Sequence, residues 1–337
     1  MVSLRDPRPL EHRILRALRS ARCLSLDVFD TALLRKSLHP RDLYGFLEDE
    51  MVERYGPRLR GVSTARLEAE RRADEIARLR GGGDEHHFLR IYEVLGEIHP
   101  SARPHLDELR ERELELERSL IVRNDWCHEL FQKALALGKR VFFLSDMYLP
   151  SSIIGELLRR EGYEGFEAVY VSAEVGRSKS DGRLFSYVLA KRGLEPSDVV
   201  HVGDSFEGDF DEPSGLGVTA FWCRAARDRV FTSPRFTHIV EDHLDGRQLS
   251  PPDCLALGLA AKEELRTQDS FAEDREPIGE RLGYQVLGPL HMSFVHWLTQ
   301  RATALGLEDL YFLARDAWIT KQVFDEVRAR GMTEARS

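Results

Sequence analysis

The chain has 337 residues, of which 42% are hydrophobic and 31% are charged. This length corresponds to about two domains, and the hydrophobic content excludes a disordered or fibrous protein. The 48 Lys and Arg residues are outnumbered by 57 Asp and Glu residues, which gives a formal net charge of -9. A negatively charged protein is not attracted to nucleic acids or anionic membranes, so neither is an expected partner.

The sequence lacks the segments that are typical of membrane insertion or secretion. No apolar run approaches the ~20 residues of a membrane helix, and Met1–Ser20 is too rich in charge for a signal peptide. We therefore expect a cytoplasmic protein with no membrane insertion. The four cysteines are far apart and form no CxxC pair, so neither a zinc site nor a disulfide framework is predicted.

Short apolar runs bounded by turn residues predict five buried strands. These are Cys23–Leu26, Arg140–Leu144, Ala168–Val171, Val199–Val202 and Val218–Trp222. Helical patterns over Ser151–Glu161 and Arg183–Arg192 lie between the later strands. This alternation is typical of a doubly wound, mostly parallel α/β sheet, in which ligands bind at the carboxyl ends of the strands.

A long stretch of helical pattern separates the first strand from the second. We interpret residues 36–136 as a helical cap inserted into a core formed by 1–35 and 137–224. An insertion at the carboxyl end of a strand lies over the site, where it excludes water and selects substrate.

The remaining residues, 225–337, form a mostly helical extension. It begins with an irregular linker, Phe231–Pro252, and contains one more predicted strand at Leu310–Leu313. This strand and the helix after it have no following strand to pair with. The extension is therefore either the start of a further domain of a longer chain or a unit that joins an existing sheet edge.

Polar residues that can carry chemistry follow the strands in four places. They are Asp27-Val28-Phe29-Asp30-Thr31, Ser145-Asp146-Met147-Tyr148, Ser178-Lys179, and Gly203-Asp204 with Asp209. In order, spacing and strand context they resemble the four motifs of the haloacid dehalogenase superfamily: a nucleophilic Asp, a Ser or Thr, a Lys, and a Gly-Asp followed by a second acid. The resemblance covers about Leu24 to Trp222 and implies a Rossmann-like sheet with a cap.

The chemistry of these residues fits what the resemblance implies. Asp27 is the expected nucleophile, forming an aspartyl-phosphate that divides one difficult displacement into two easier ones. A carboxylate and a phosphate repel each other, and a hard cation such as Mg²⁺ overcomes that repulsion. Its expected ligands are Asp27, Asp204, Asp209 and the backbone carbonyl of Phe29.

Other residues are expected to hold the substrate. Ser145 donates a hydrogen bond to a phosphoryl oxygen, and Lys179 neutralises the charge that develops on the transferring group and on Asp27. The backbone N–H groups of Val28 and Phe29 complete a phosphate cradle. Asp146 and Arg35 are further candidates for substrate binding, Arg35 because it enters the cap eight residues after Asp27.

One position departs from the pattern of the superfamily. Its phosphatases usually have a second Asp two residues after the nucleophile, as general acid and base, and this chain has Phe29 there. A phenyl ring transfers no proton. Asp30 is the nearest candidate for that role, with Asp146 or Tyr148 as others. His201, on the fourth predicted strand, is interpreted as a core histidine.

Three functions are left open by these residues. The first is Mg²⁺-dependent phosphohydrolysis of a small phosphomonoester, and the second is metal-independent dehalogenation, in which position 29 is also not an Asp. Asp204 and Asp209 favour phosphate over halide. The third is a non-hydrolytic domain that binds a phosphorylated ligand.

A narrower resemblance concerns three runs, Leu26–Thr31, Leu144–Pro150 and Tyr311–Asp316. They are similar to a bacterial subgroup of predicted hydrolases of this superfamily that are associated with, or fused to, glycosyltransferases of surface-polysaccharide biosynthesis. The subgroup usually continues into Asp-Gly, whereas Ala317 follows Asp316 here. The resemblance implies a sugar-phosphate or lipid-linked sugar context, and a fused or associated glycosyltransferase as partner.

Overall fold

The computed structural model describes residues 10–81, 83, 86–228, 254–262, 279, 282–313, 315 and 317–329. The chain divides into two units, Met1–Leu265 and Arg266–Ser337. No helix within these described ranges is long and apolar enough to cross a membrane.

The first unit is built on a parallel sheet of five strands. These are β1 (Cys23–Asp27), β4 (Arg140–Ser145), β5 (Ala168–Val171), β6 (Val199–Gly203) and β7 (Thr219–Trp222), in the order β5-β4-β1-β6-β7. All residues of the central strand β1 are buried, as expected where helices cover both faces of a parallel sheet. The predicted doubly wound α/β fold is confirmed.

Helices pack on both faces of this sheet. They are α1 (Leu10–Leu18), α6 (Asp125–Ala136), α7 (Ser151–Arg160), α8 (Ser172–Val175), α9 (Arg183–Arg192) and α10 (Glu212–Gly215). Successive side chains of a strand point to opposite faces. Phe143 accordingly stacks on Phe131 of α6, with ring centroids 6.2 Å apart, whereas Phe142 belongs to the cluster that includes Phe185 of α9.

The cap consists of four helices on a short two-stranded stem. The helices are α2 (Leu43–Tyr55), α3 (Val62–Leu79), α4 (His87–Ile98) and α5 (Leu106–Leu120). The stem pairs β2 (Leu33–Arg35) with β3 (Ile121–Arg123) in antiparallel orientation, so the chain enters and leaves the cap side by side. The predicted cap range also includes α6, which packs on the sheet as described above.

A buried polar network fixes the cap helices to one another. Arg66 of α3 is fully buried and forms two 2.8 Å hydrogen bonds to Glu113 of α5. Tyr92 of α4 donates a 2.5 Å hydrogen bond to the same carboxylate. Tyr44 and Tyr148 each present a ring 4.8 Å from the Arg66 guanidinium. A buried charge is tolerated only with such pairing.

The later part of the chain is helical where the structure describes it. Residues 254–262 are helical in the first unit, and the second unit contains α11 (Gly288–Leu305) and α12 (Trp318–Ala329). These two helices share a buried cluster that includes Val295 and Phe324. Asp316 and the predicted linker Phe231–Pro252 lie outside the described residues.

The strand predicted at Leu310–Leu313 is wrong. Leu310 and Phe312 pack against the α11–α12 cluster, while Tyr311 and Leu313 are 91% and 81% exposed. The segment thus has the alternation of a strand. It is nevertheless not a strand in the structure; only Asp309, directly before it, takes part in a β-bridge.

We expect Arg66→Met to destabilise the protein by about 3–5 kcal/mol, because it leaves Glu113 buried without its cation. The measurement is urea denaturation followed by circular dichroism. Arg72→Met on the same helix is the control: Arg72 is half exposed and pairs with Glu68 at the surface, so its loss costs less than about 1 kcal/mol. Equal unfolding midpoints for the two variants would contradict the role of the network.

Candidate active site

The predicted site residues meet at the carboxyl edge of the sheet. Asp27 ends β1 and lies opposite Leu144 of β4, one residue before Ser145. On the other side of β1, β6 ends at Gly203, directly before Asp204. The strand register alone therefore brings Asp27, Ser145 and Asp204 to one place, since adjacent parallel strands end together there.

Three carboxylates form a cluster at this edge. One oxygen from each of Asp27, Asp204 and Asp209 lies within 4.8 Å of the others. Asp209 is fully buried and accepts a 3.0 Å hydrogen bond from the Ser205 backbone N–H. Position 203 must be glycine for this turn to close, because a Cβ there would lie 2.3 Å from Asp209 Cγ.

Lys179 bridges two members of the cluster. Its Nζ lies 2.5 Å from Asp27 Oδ1 and 2.6 Å from Asp209 Oδ1, and its side chain is 5% exposed. Burial lowers the pKa of Lys179, but the charges of Asp209 and Asp27 outweigh burial and raise it above its ordinary value. Lys179 is therefore a cation throughout the physiological pH range.

His201 holds Asp209 from the other side. Its Nε2 lies 3.0 Å from Asp209 Oδ1, and its Nδ1 lies 2.8 Å from Ser25 Oγ. Burial lowers the pKa of His201 despite the neighbouring Asp209. Because a carboxylate only accepts, the neutral ring carries its proton on Nε2 and accepts from the Ser25 hydroxyl. His201 is thus a core histidine, as predicted, and it also positions Asp209.

The cluster has more negative than positive charge, and this shifts the pKa values of its carboxyl groups. Burial raises the pKa of Asp27 to about 6 against the opposing charge of Lys179, and Asp209 adds to the rise. Burial, with Asp27 and Asp30, raises the pKa of Asp204 well above its usual range. Burial also disfavours ionised Asp209, but Lys179 and His201 outweigh it and lower the pKa of that carboxyl. Negative charge is in excess around Asp27 and Asp204.

These carboxylates fit a divalent cation of the Mg²⁺ type. Hard cations prefer carboxylate and carbonyl oxygens, and the excess of negative charge is what such an ion would neutralise. Asp209 Oδ1 accepts from Lys179 and His201, and Oδ2 accepts from Ser205 N. A carboxylate oxygen has more than one acceptor site, so Asp27, Asp204 and Asp209 together offer a donor set.

The chain turns sharply after β1. Leu33 N–H donates to Val28 O at 2.8 Å, and Asp30 N–H donates to Leu33 O at 2.7 Å. Asp30 has φ of 60°, a left-handed conformation that a short polar side chain tolerates better than most. This turn places the Asp30 carboxylate beside a residue that lies outside the four sequence motifs.

That residue is Arg227, which the sequence analysis missed. Its guanidinium forms an ion pair with Asp30 and lies 3.4 Å from Asp204 Oδ2. Thr31 Oγ1 contacts the other Asp204 oxygen at 3.4 Å. No local signal marks Arg227, because it contacts Asp30 across 197 residues of sequence.

Half-buried Phe29 and buried Arg35 form a pair beside the site. The Arg35 guanidinium lies 4.4 Å from the centroid of the Phe29 ring and forms a 2.9 Å ion pair with Glu117 of the cap. Such a cation over a ring is attracted by the π electrons. Phe29 thus packs against the positive charge of Arg35, which lies on strand β2 of the cap stem.

Asp146 and Tyr148 lie on the loop after β4. Asp146 accepts hydrogen bonds from Ser178 Oγ at 2.8 Å and from Lys179 N at 3.0 Å, so it anchors the backbone that carries Lys179. The Tyr148 hydroxyl lies 3.2 Å from that of Tyr44. Tyr148 therefore belongs to the buried network of the cap.

Comparison with known proteins agrees with this arrangement. A family model described as haloacid dehalogenase-like hydrolase matches residues 11–211. No match was found among curated proteins.

Several solved structures are similar to the chain. A 2-haloacid dehalogenase from Pseudomonas syringae pv. Tomato DC3000 has 17% identity and a TM-score of 0.45, over 60% of this chain and 86% of its own. A haloacid dehalogenase-like family hydrolase from Xanthomonas campestris has 17% identity and a TM-score of 0.43, over 74% and 95%. A predicted phosphoglycolate phosphatase from Haemophilus somnus 129pt has 15% identity and a TM-score of 0.38, over 59% and 83%.

We expect Asp204→Asn to raise the melting temperature of the protein in chelator, because it removes one of the crowded carboxylates. We also expect Mg²⁺ to stabilise the wild type, by about 2.7 kcal/mol at a hundred times its dissociation constant. The variant should lose this shift. Glu207→Gln, an exposed acid in the same turn, is the control and should respond to Mg²⁺ as the wild type does.

The difference in stability between the wild type and Asp204→Asn should depend on pH. The pKa of Asp27 is about 6 in the folded protein against 3.8 for an ordinary Asp, so the folded state binds more protons between these values. Wild-type stability in chelator should therefore fall as the pH rises through this window. The advantage of Asp204→Asn should grow over the same window, and a variant less stable than the wild type at pH 7 would contradict the charge imbalance.

Proposed function

This chain belongs to the haloacid dehalogenase-like hydrolases, and we propose that it is a Mg²⁺-dependent phosphohydrolase acting on a small phosphomonoester, such as a sugar phosphate. The observation that carries the proposal is the buried contact of Asp27 with Lys179, next to Asp204 and Asp209. A carboxylate nucleophile, a fixed cation and an acidic donor set are the parts that phosphoryl transfer requires.

The reaction runs in two displacements at phosphorus. A carboxylate oxygen of Asp27 forms a bond to phosphorus while the bond to the leaving oxygen breaks, which gives an aspartyl-phosphate. Water then attacks that phosphorus, releases phosphate and restores Asp27. Mg²⁺, held by Asp27, Asp204, Asp209 and the Phe29 carbonyl, would supply charge neutralisation between nucleophile and phosphate.

The other residues hold the transferring group. Lys179 neutralises charge on Asp27 and on the phosphoryl oxygens, and its own position is set by Asp146. Ser145, buried at the end of β4, is a hydrogen-bond donor for a phosphoryl oxygen. The backbone N–H groups of Val28 and Phe29 complete the cradle.

We assign the proton transfer of the second displacement to Asp30. Phe29 transfers no proton, and Asp30 is the next residue along the turn. Paired with Arg227, it is a carboxylate that accepts a proton from the attacking water. In the first displacement the leaving oxygen then departs as an oxyanion and takes its proton from water, so the rate of this step depends on the acidity of the alcohol that is released.

A second candidate is a non-hydrolytic domain that binds a phosphorylated ligand, and Phe29 is the observation that favours it. Such a domain would bind its ligand with Mg²⁺ and release no phosphate. Metal-independent dehalogenation is less well supported, because Asp204 adds a third carboxylate beside Asp27 and Asp209, which a reaction without a metal ion does not need. Association with a glycosyltransferase of polysaccharide synthesis, and a sugar as the leaving group, rest on the sequence resemblance alone.

We expect Asp27→Asn to lower Mg²⁺-dependent phosphate release by at least about three orders of magnitude, because the amide is no nucleophile. The assay is phosphate release from a panel of sugar phosphates and an aryl phosphate, with Mg²⁺ or chelator. Glu207→Gln serves as control and should retain activity. Ligand binding without release by the wild type would support the second candidate, and release unaffected by Asp27→Asn would overturn the mechanism.

We expect Asp30→Asn to slow the second displacement by about 10²–10⁴-fold, the usual contribution of a general base. With an aryl phosphate, the variant should then release a burst of phenol followed by slow turnover as aspartyl-phosphate accumulates. The readout is rapid-quench kinetics with leaving groups of different acidity. A rate loss that grows as the leaving group becomes less acidic, with no burst, would assign Asp30 to leaving-group protonation instead.

A further inference from the structure

A cavity of about 910 Å³ opens beside the candidate active site. The cap contributes residues such as Tyr44 and Asp74 to its wall, and the core contributes Asp146 and Ser178. Asp146 accepts from the Lys179 backbone, so the cavity adjoins the loop that carries Lys179. We call this space the cap cavity. Its volume is that of a site for a whole small molecule, much larger than a phosphate group.

The wall of the cap cavity has an excess of unpaired positive charge. Three of its four carboxylates accept hydrogen bonds: Glu70 from Arg66 at 2.8 Å, Asp146 from Ser178 at 2.8 Å and Asp181 from Arg183 at 2.7 Å. The fourth, Asp74, lies 3.0 Å from His87 Nε2. By contrast, three lining arginines form no ion pair with any residue that the structure describes. They are Arg41, Arg78 and Arg177.

These three arginines come from both sides of the cavity. Arg41 precedes α2 and Arg78 lies in the last turn of α3, both in the cap, whereas Arg177 lies between α8 and α9 in the core. All three are exposed to solvent. A guanidinium group matches the geometry of carboxylate and phosphate better than that of neutral groups.

Arg35 adds a buried donor to the same wall. It is 5% exposed, and its Nε has no hydrogen-bond partner within the described part of the chain. Its pairing with Glu117 uses another nitrogen. Buried polar groups normally find partners, and an unsatisfied one costs about 1–3 kcal/mol. An acceptor on a bound ligand would satisfy this N–H group.

We propose that the substrate carries a second anionic group, a phosphate or a carboxylate, and that the cap cavity binds it. The inference rests on the proposed phosphohydrolase function and specifies its substrate class. Arg41, Arg78 and Arg177 receive the second anion, and Arg35 contacts the part of the substrate near Phe29. The phosphoryl group to be transferred lies at Asp27.

The test compares substrates that differ in one charged group. Glucose 1-phosphate is neutral at C6, glucuronic acid 1-phosphate has a carboxylate there, and glucose 1,6-bisphosphate has a phosphate. We expect kcat/KM to be at least about tenfold higher for one or both of the charged substrates than for glucose 1-phosphate, equivalent to about 1.4 kcal/mol. A higher value for the carboxylate or for the phosphate identifies which anion the cavity takes.

Variants of the arginines test which side chains bind the second anion. Arg41→Gln and Arg177→Gln should each lower the ratio of kcat/KM between charged and neutral substrates about tenfold or to unity. Arg58→Gln is the matched control, because Arg58 is an exposed cap arginine that does not line the cavity. It should leave the ratio unchanged. Equal kcat/KM for charged and neutral substrates in the wild type, or a ratio that survives both cavity variants, would overturn the proposal.

A binding experiment separates this proposal from the proposed hydrolysis. Calorimetric titration of the Asp27→Asn protein with Mg²⁺ and each of the three ligands needs no turnover. Tighter binding of a charged ligand, reduced by Arg41→Gln, without turnover in the wild type would overturn hydrolysis and keep the anion site. Turnover with no such difference in binding or in kcat/KM would overturn the anion site and keep hydrolysis.

Discussion

The ammonium group of Lys179 is the charge on which the core site depends. Two buried carboxylates, Asp27 and Asp209, could not lie this close without a cation between them, since their repulsion and desolvation would exceed the stabilisation from packing. Other polar contacts of the site fix this bridge. Asp146 holds the Lys179 backbone, and His201 orients Asp209. The geometry of the site thus depends on more residues than those proposed to touch a substrate.

One aromatic side chain of the core packs deep among the cap helices. Tyr148 comes from the loop after β4, two positions beyond Asp146, yet its ring lies 4.8 Å from the Arg66 guanidinium and stacks on Phe88 of the cap. The loop that positions Lys179 therefore also sets where the cap lies. A buried ion pair such as Arg66–Glu113 adds little net stability but requires one geometry, which suits this coupling.

How far the sequence predicts the structure depends on whether the interaction is local. The central strands are buried on both faces, so continuous apolar runs identified them and the strand-end rule brought Asp27, Ser145 and Asp204 together. The stem strands β2 and β3 were not predicted, because three residues are too few to show the two-residue alternation of a strand. Arg227 was missed because its ion pair with Asp30 is not local. Leu310–Leu313 failed for a similar reason: alternation is a local property, whereas a strand needs a neighbour.

Phe29 changes the charge of the site as well as its proton chemistry. Asp27, Asp30, Asp204 and Asp209 already face only Lys179 and Arg227 among the charged contacts described around them, and an acid at position 29 would add to that excess. A phenyl ring adds no charge and gives the Arg35 guanidinium a face to pack on. The same residue leaves Asp30, the base that we propose, without a matching acid. In the proposed mechanism, charge balance and proton transfer therefore make opposite demands on this turn. Phe29 meets the first, and the second is assigned to Asp30, one residue later.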